Sequence, residues 1–121
     1  MLKILLVEDD QFISQLYSDK FSQFDYQVEV ARDGFESLEI LKKYKPDLIL
    51  LDIVMPKMDG FEVLEHIKKD DSLNKIPVLM FTNMGDKMDI EKAMSLGAKS
   101  YIVKSYFTPA EVLDKINNLL K

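Results

Sequence analysis

The chain has 121 residues, a size that supports one hydrophobic core rather than two. Its 47% hydrophobic and 31% charged residues are ordinary for a globular protein, and no apolar run approaches the roughly 20 residues of a membrane span. The lack of cysteine excludes disulfides and thiolate metal sites, and the net charge of −5 argues against direct nucleic-acid binding. We therefore expect a single cytoplasmic domain over residues 1–121 that binds proteins, with no contact to membrane or nucleic acid.

Short apolar runs rich in strand-forming residues alternate along the chain with segments of helical periodicity. The first, third and fourth runs are almost continuously apolar, as expected for strands of a parallel sheet that helices cover on both faces. The five predicted strands span residues 2–7, 27–31, 47–51, 76–81 and 100–104.

Apolar residues recur three or four positions apart after each predicted strand, which predicts five helices. The last helix has a start signal in Thr108, Pro109 and Glu111, a capping box with proline at the first helical position. Asp86 is a candidate start for the fourth helix, and Gly97 is a candidate end. The apolar positions that indicate the helices are Ile13, Leu16, Tyr17, Phe21 and Phe24; Phe35, Leu38 and Leu41; Phe61, Leu64 and Ile67; Ile90, Ala93 and Met94; and Val112, Ile116 and Leu119.

Five βα units are too few for a closed eight-fold barrel, which needs a far longer chain. The remaining α/β fold is doubly wound: a flavodoxin-like (βα)5 sandwich with a five-stranded parallel sheet in the order 2-1-3-4-5. In that order the winding direction reverses between strands 1 and 3, and a crevice for ligands opens at their carboxyl ends.

Polar residues collect at this edge of the predicted sheet. Carboxylates drawn into one crevice repel each other and cost stability unless a cation lies among them. Oxygen ligands favour Mg²⁺, with Mn²⁺ as the alternative, and Mg²⁺ keeps coordination positions open for phosphate oxygens. A lysine and a threonine beside such a metal would bind a phosphoryl group. The strand-end residues are Glu8, Asp9 and Asp10 after strand 1, Asp52 after strand 3, Thr82 and Asn83 after strand 4, and Lys104 and Ser105 after strand 5.

Four segments at ordered intervals, "LLVEDD", "LILLDIVMPKMDG", "VLMFTN" and "GAKSYIVKS", resemble the response regulator receiver domain of two-component signalling, of the kind found in chemotaxis regulators. The resemblance covers essentially the whole chain. It implies that Asp52 is the phosphoacceptor, which takes a phosphoryl group from a histidine kinase, a phosphotransfer protein or a small phosphodonor. It also implies that the domain is not an enzyme in the usual sense, since it catalyses only its own phosphorylation and dephosphorylation.

The same resemblance implies a ligand set for Mg²⁺. In that set Asp9 binds the metal directly, Glu8 assists through a water molecule, and Asp52 and the main-chain carbonyl of Val54 supply further oxygens.

The resemblance further implies a switch. Thr82 and Lys104 contact the phosphoryl oxygens, and Tyr101 occupies the position of the aromatic switch residue. Phosphorylation adds roughly one to two negative charges at Asp52 and draws Thr82 inward, and Tyr101 rotates into the vacated space. Helix 4, strand 5 and helix 5 then present a new surface to a downstream protein or an output domain.

Two positions depart from the family pattern. Ser105 follows Lys104 where the family usually has proline, so the usual cis peptide bond is disfavoured, since a non-proline cis bond costs about 3 kcal/mol. Asn83 is larger than the usual small residue after the threonine, so we expect it to restrict access to Asp52.

Two expectations about assembly follow from the sequence. DNA-binding members that dimerise carry acidic residues just before the strand 5 aromatic, whereas Lys99 and Ser100 stand there in this chain. We therefore expect a monomer in the unphosphorylated state. Both a stand-alone regulator and a fragment of a longer one fit a chain of this length.

Two other classes of function fit the predicted fold. A phosphate-independent interaction module would have no reason to retain mutually repelling carboxylates. An enzyme of this fold would be a flavodoxin-like electron carrier or an aspartate-nucleophile phosphatase. The acidic stretch "EDDQF" would repel a flavin phosphate, and the phosphatases carry a second aspartate where this chain has Val54.

Overall fold

Strands and helices alternate along the chain in the computed structural model, which describes residues 1–120. The single-domain prediction extends to Lys121, which lies outside the described residues. The five strands are β1 (Leu2–Val7), β2 (Tyr26–Ala31), β3 (Leu48–Leu51), β4 (Val78–Thr82) and β5 (Ser100–Val103). The helices are α1 (Gln11–Ser22), α2 (Gly34–Leu41), α3 (Gly60–Lys69), α4 (Lys87–Ser95) and α5 (Pro109–Leu120), with a short 3₁₀ helix (Lys104–Tyr106) between β5 and α5.

The strands form one parallel sheet in the order β2-β1-β3-β4-β5, which confirms the predicted flavodoxin-like topology. Helices α1 and α5 cover one face of the sheet, and α2, α3 and α4 cover the other. Every residue of β3 and β4 is buried, because both helical layers pack against these central strands. This double coverage explains why their sequences are almost continuously apolar.

The predicted strand limits differ from the observed ones by one or two residues at several ends. β4 begins at Val78 rather than at position 76. Pro77, just before it, has no N–H to donate, and only its carbonyl joins the sheet by accepting from the Ile49 N–H at 3.0 Å. Lys104 was predicted to end strand 5, but it instead begins the 3₁₀ helix, which turns its backbone away from the strand direction.

The predicted helix boundary signals are present in the structure. The Thr108 N–H donates to Glu111 Oε1 at 2.9 Å, and the Glu111 N–H donates to Thr108 Oγ1 at 3.2 Å, so the capping box of α5 is confirmed. Gly97 follows α4 with a φ of 106°, a left-handed conformation that glycine adopts without strain. Asp86 precedes α4 as predicted, but its side chain makes no cap hydrogen bond.

Four of the apolar positions that indicated helices are exposed rather than part of the core. Leu16, Phe35 and Met94 lie on the outer sides of their helices, and Phe24 lies beyond the end of α1. The helical period was correct for these segments, but their apolar residues extend past the face that the sheet covers. None of the helices in residues 1–120 is long and apolar enough to cross a membrane.

Candidate functional site

The carboxyl ends of β1 and β3 lie side by side, which brings their terminal carboxylates together. Val7 pairs with Leu51 in the parallel register, and the Asp52 N–H continues the ladder by donating to the Val7 carbonyl at 3.1 Å. Glu8 is held on the other side of β1, where its N–H donates to the Ala31 carbonyl at 2.9 Å. The sheet itself therefore fixes the backbone of both acidic residues.

Three carboxylates share this edge. Oxygen atoms of Glu8, Asp9 and Asp52 lie within 4.8 Å of one another, so the three carboxylates that the resemblance assigned to a metal site do come together. Glu8 and Asp52 are buried, whereas Asp9 is exposed at the rim. Three oxygen ligands at this spacing, one of them open to solvent, suit a hard divalent cation such as Mg²⁺ or Mn²⁺.

Lys104 supplies the positive charge of the site. Its ammonium donates to Glu8 Oε1 and lies 3.1 Å from Asp52 Oδ2. The same nitrogen lies 5.3 Å from the centre of the Phe81 ring, within the range of a cation–π contact. Because one ammonium faces three carboxylates, the pocket retains an excess of negative charge that a divalent cation would neutralise.

The other oxygen of Asp52 is held by main-chain amides. Oδ1 accepts hydrogen bonds from the N–H of Ile53 at 2.7 Å and from the N–H of Val54 at 3.4 Å. These contacts fix the orientation of the Asp52 carboxylate and leave Oδ2 to face Lys104. The Val54 side chain is exposed, and the Val54 contribution to this contact comes from its main chain.

Burial dominates the electrostatics of Glu8. Loss of solvent raises the pKa of Glu8 above its ordinary value of 4.5, and the Lys104 ammonium opposes that rise. The nearby Asp52 carboxylate adds to the rise in the pKa of Glu8. Glu8 Oε2 also accepts from the Asp10 N–H at 3.1 Å, which stabilises the charged form. Asp10 itself caps α1, since its Oδ1 accepts from the Ile13 N–H at 3.1 Å.

Thr82 and Tyr101 are joined through one residue of the loop between β4 and α4. The Met84 N–H donates to Thr82 Oγ1 at 3.4 Å, and the Met84 carbonyl accepts from the Tyr101 hydroxyl. Thr82 is fully buried, and Tyr101 is half-buried. Burial raises the pKa of Tyr101 to about 12, with smaller contributions from Asp89, Asp52 and Asp86, so the hydroxyl remains a donor at neutral pH.

Two features of the site were missed from the sequence. The residues "MDG" at 58–60 were interpreted only as a turn and a helix start, but a Cβ on Gly60 would lie 2.7 Å from the Ile53 Cα and would press on the Asp52 carbonyl oxygen. Asn83 and Ser105 were noted separately, yet Asn83 Oδ1 accepts from the Ser105 N–H at 3.0 Å.

No peptide bond in residues 1–120 is cis, so the bond between Lys104 and Ser105 is trans.

The chain was compared with protein-family models and with curated relatives. Residues 4–117 match the model of the response regulator receiver domain. A probable transcriptional regulator of Cyanophora paradoxa, ycf27, is 38% identical over 119 residues, which are 98% of this chain and 48% of the relative. The chain thus spans about half the length of the curated relatives that it matches.

Solved structures of response regulators are also similar to this chain. The chemotaxis protein CheY4 of Vibrio cholerae has a TM-score of 0.93 and 32% identity, and the match covers 99% of each chain. The Mn²⁺-bound form of the response regulator Rcp1 has a TM-score of 0.84 and 30% identity, covering 98% of this chain and 91% of that one. Sequence, topology and the acidic pocket agree with these matches, and the chain belongs to the response regulator receiver domain family.

Proposed function

We propose that this receiver domain is a phosphoacceptor switch of a two-component phosphorelay, with Asp52 as the residue that is phosphorylated. One observation carries the proposal: the buried Asp52 carboxylate contacts the Lys104 ammonium and shares its pocket with the carboxylates of Glu8 and Asp9. Receiver domains of response regulators interact with histidine kinases and with downstream targets. The donor in this proposal is therefore a histidine kinase or a phosphotransfer protein, with small phosphodonors as substitutes.

The proposed reaction is a phosphoryl transfer to a carboxylate. An oxygen of Asp52 forms a bond to phosphorus while the bond between phosphorus and the donor's nitrogen or oxygen breaks, and the leaving group keeps that electron pair. Such transfers depend mainly on positioning and on neutralisation of charge. The amides of Ile53 and Val54 orient the carboxylate, and the Lys104 ammonium is close enough to move from Asp52 to an oxygen of the transferred group.

The reaction is proposed to depend on Mg²⁺, with Mn²⁺ as the alternative. Asp9, Asp52 and the main-chain carbonyl of Val54 would hold the ion directly, and Glu8 would do so through water. When bound, the cation would offset the negative charge that Lys104 leaves uncompensated and would screen the incoming phosphoryl oxygens. The spacing of the three carboxylates supports this assignment, as does the Mn²⁺-bound form of the related Rcp1.

The proposed output is a change in the surface formed by α4, β5 and α5. A phosphoryl group at Asp52 attracts the Thr82 hydroxyl as a donor. Because Met84 contacts both Thr82 and Tyr101, a shift of Thr82 would change the loop that holds the Tyr101 hydroxyl. The equilibrium between two arrangements of Tyr101 would then move, which alters the surface offered to a downstream protein.

The proposed function excludes turnover of a separate substrate and direct contact with nucleic acid. The domain catalyses only its own phosphorylation and dephosphorylation, so it turns over no separate substrate. Its target is a protein surface, and the domain makes no direct contact with nucleic acid, although relatives about twice its length are named transcriptional regulators. Cytoplasmic residence and a monomeric unphosphorylated state stay predictions.

Intact-mass spectrometry after incubation with acetyl phosphate and Mg²⁺ tests the proposal. We expect one phosphoryl adduct that is lost with a chelator and in the Asp52→Asn variant. Asp59→Asn is the matched control, because Asp59 caps the nearby helix α3 outside the carboxylate cluster and asparagine caps equally well. Labelling that persists in Asp52→Asn, or a folded wild-type protein that takes no phosphoryl group from acetyl phosphate or a phosphorylated donor protein, would overturn the proposal.

A further inference from the structure

The ends of β4 and β5 are joined by a side chain beyond the last paired residues of the sheet. Thr82 pairs with Val103, and neither strand continues past this pair. One residue after the end of β4, Asn83 Oδ1 accepts a hydrogen bond from the Ser105 N–H at 3.0 Å. This bond replaces the next rung of the ladder with a contact between a side chain and the backbone.

The Asn83 side chain gives the Ser105 N–H an acceptor that the short helix itself does not supply. Ser105 is the second residue of the one-turn 3₁₀ helix that begins at Lys104, and the first amides of a helix have no acceptor within it. Val103 precedes the helix and supplies no side-chain cap. At the end of the helix, the Phe107 N–H donates to the Lys104 carbonyl over a long distance of 3.4 Å. A 3₁₀ helix of a single turn has few hydrogen bonds of its own, so a contact from outside the helix contributes to its position.

The bond depends on the residue type at both positions. A proline at position 105 would have no N–H to donate. A small apolar residue at position 83 would have no acceptor to offer. Asparagine reaches the amide and leaves the backbone of the loop between β4 and α4 free for its other contacts, at Met84.

We propose that Asn83 is a positioning residue for Lys104. By binding the Ser105 N–H it fixes the short helix relative to β4, and so it sets the distance between the Lys104 backbone and the Thr82 hydroxyl. Lys104 has to transfer its contact from Asp52 to the phosphoryl group. When the backbone is fixed, the Lys104 side chain has fewer conformations to sample before it reaches the phosphoryl oxygens. This inference rests on the phosphoacceptor function proposed above.

A double-mutant cycle tests the inference. Asn83→Leu keeps the size of the side chain and so its effect on access to Asp52, but it removes the acceptor. Ser105→Pro removes the donor. Asn118→Leu makes the same chemical change at an exposed asparagine of α5 and serves as the control. The measurements are the maximal rate of labelling by acetyl phosphate, the affinity for Mg²⁺, and hydrogen exchange of the Ser105 amide.

We expect Asn83→Leu to lower the maximal labelling rate about fivefold, as the loss of one positioning hydrogen bond implies. The Ser105 amide should exchange faster, and the Mg²⁺ affinity should stay at the wild-type value, because neither residue belongs to the carboxylate cluster. In the Ser105→Pro background, Asn83→Leu should have no further effect on the rate. Asn118→Leu should match the wild type in all three measurements.

Equal slowing by Asn83→Leu in the wild-type and Ser105→Pro backgrounds would overturn the inference, because Asn83 would then act by a route other than this bond. So would an unchanged rate in Asn83→Leu alone. A wild-type protein that takes no phosphoryl group would overturn the phosphoacceptor function and this role with it, and the wild-type labelling rate separates that outcome from the other two.

Discussion

Lys104 Nζ lies 3.1 Å from Asp52 Oδ2, and only 9% of each of these side chains is exposed. The same ammonium is paired with Glu8, whose side chain is 2% exposed. One lysine thus compensates two buried carboxylates, while Asp9 adds a third at the rim. This arrangement makes Lys104 a structural counter-ion before it acts on any phosphoryl group, and it makes the stability of the domain depend on the cation content of the pocket.

Replacement of Lys104 by methionine, which has a similar shape, should destabilise the protein. Glu8 and Asp52 would be left in a buried site without a positively charged partner, which costs about 3 kcal/mol of unfolding free energy. Addition of Mg²⁺ should recover part of this loss, so the stabilisation by Mg²⁺ should be larger in Lys104→Met than in the wild type. Urea unfolding with and without Mg²⁺ measures both quantities.

Lys99→Met is the control for this experiment, since Lys99 is exposed and lies at the opposite edge of the sheet, before β5. It should change the unfolding free energy by less than about 0.5 kcal/mol. A Lys104→Met protein as stable as the Lys99→Met protein would show that the two carboxylates do not depend on the ammonium.

The pKa of Glu8 gives a pH dependence with a defined sign. Burial raises the pKa of Glu8 in the folded protein above 4.5, despite the opposing effect of Lys104. The folded state then binds this proton more tightly than the unfolded state. The contribution of protonated Glu8 to the unfolding free energy is therefore fully present below pH 4.5. It is lost as the pH rises through the pKa of Glu8 in the folded protein.

Glu8→Gln should therefore gain stability relative to the wild type as the pH increases from about 4.5, with a plateau above the folded pKa of Glu8. Urea unfolding in a chelating buffer between about pH 4 and pH 8 measures the difference. Glu29→Gln makes the same chemical change at an exposed position of β2, outside the pocket, and is the control. A Glu8→Gln difference that falls with increasing pH would mean that Lys104 outweighs burial at this carboxyl group.

Gly60 is constrained by the backbone that carries Asp52. A Cβ at this position would lie 2.7 Å from the Ile53 Cα and closer still to the Asp52 carbonyl oxygen, and backbone atoms cannot rotate away. Gly60→Ala should cost about 2 kcal/mol of unfolding free energy through overpacking. It should also slow labelling by acetyl phosphate, because the shift needed to relieve the contact moves the phosphoacceptor.

Gly85→Ala provides the matched comparison on the other side of the pocket. The nearest atom to its added Cβ would be the Tyr106 hydroxyl at 3.4 Å, an ordinary van der Waals distance. This variant should change the unfolding free energy by less than about 0.5 kcal/mol. If both alanine variants behaved alike in urea unfolding and in labelling, the tight approach at Gly60 would not be a constraint.

The topology and the acidic cluster could be predicted because their signals are local in the sequence. Apolar runs mark the strands, and in a parallel sheet the residue that ends each run lies at a common edge. Glu8, Asp9, Asp52 and Lys104 were therefore expected at one edge of the sheet. The order of the strands follows from the number of βα units and the resemblance to a known family.

The remaining features depend on distances between positions that carry no local signal. The bond between Asn83 and Ser105 joins residues 22 positions apart, and it requires the backbone to turn at Lys104, where the apolar run alone predicted a strand. The close approach of Gly60 to Asp52 depends on how tightly the loop after β3 folds back. Lys57 in that loop adopts a φ of 72°, a conformation that is uncommon for a lysine.

The hydroxyl of Tyr101 fixes the loop between β4 and α4 through the Met84 carbonyl. Because burial and nearby carboxylates raise the pKa of Tyr101 to about 12, this donor persists across the neutral and mildly alkaline range. Tyr101→Phe should lower the unfolding free energy by about 1 kcal/mol, since it leaves the carbonyl without its donor. Amides of residues 84–88 should exchange faster with solvent, which hydrogen-exchange mass spectrometry measures.

Tyr44→Phe is the control, because its hydroxyl makes a longer bond of 3.5 Å to the Gln27 carbonyl at a distant edge of the sheet. It should leave exchange in residues 84–88 unchanged. After phosphorylation, the change in exchange of α4 should be smaller in Tyr101→Phe than in the wild type, because the hydroxyl no longer connects the loop to β5. An α4 response of wild-type size in Tyr101→Phe would mean that the Tyr101 hydroxyl does not connect the Asp52 pocket to α4.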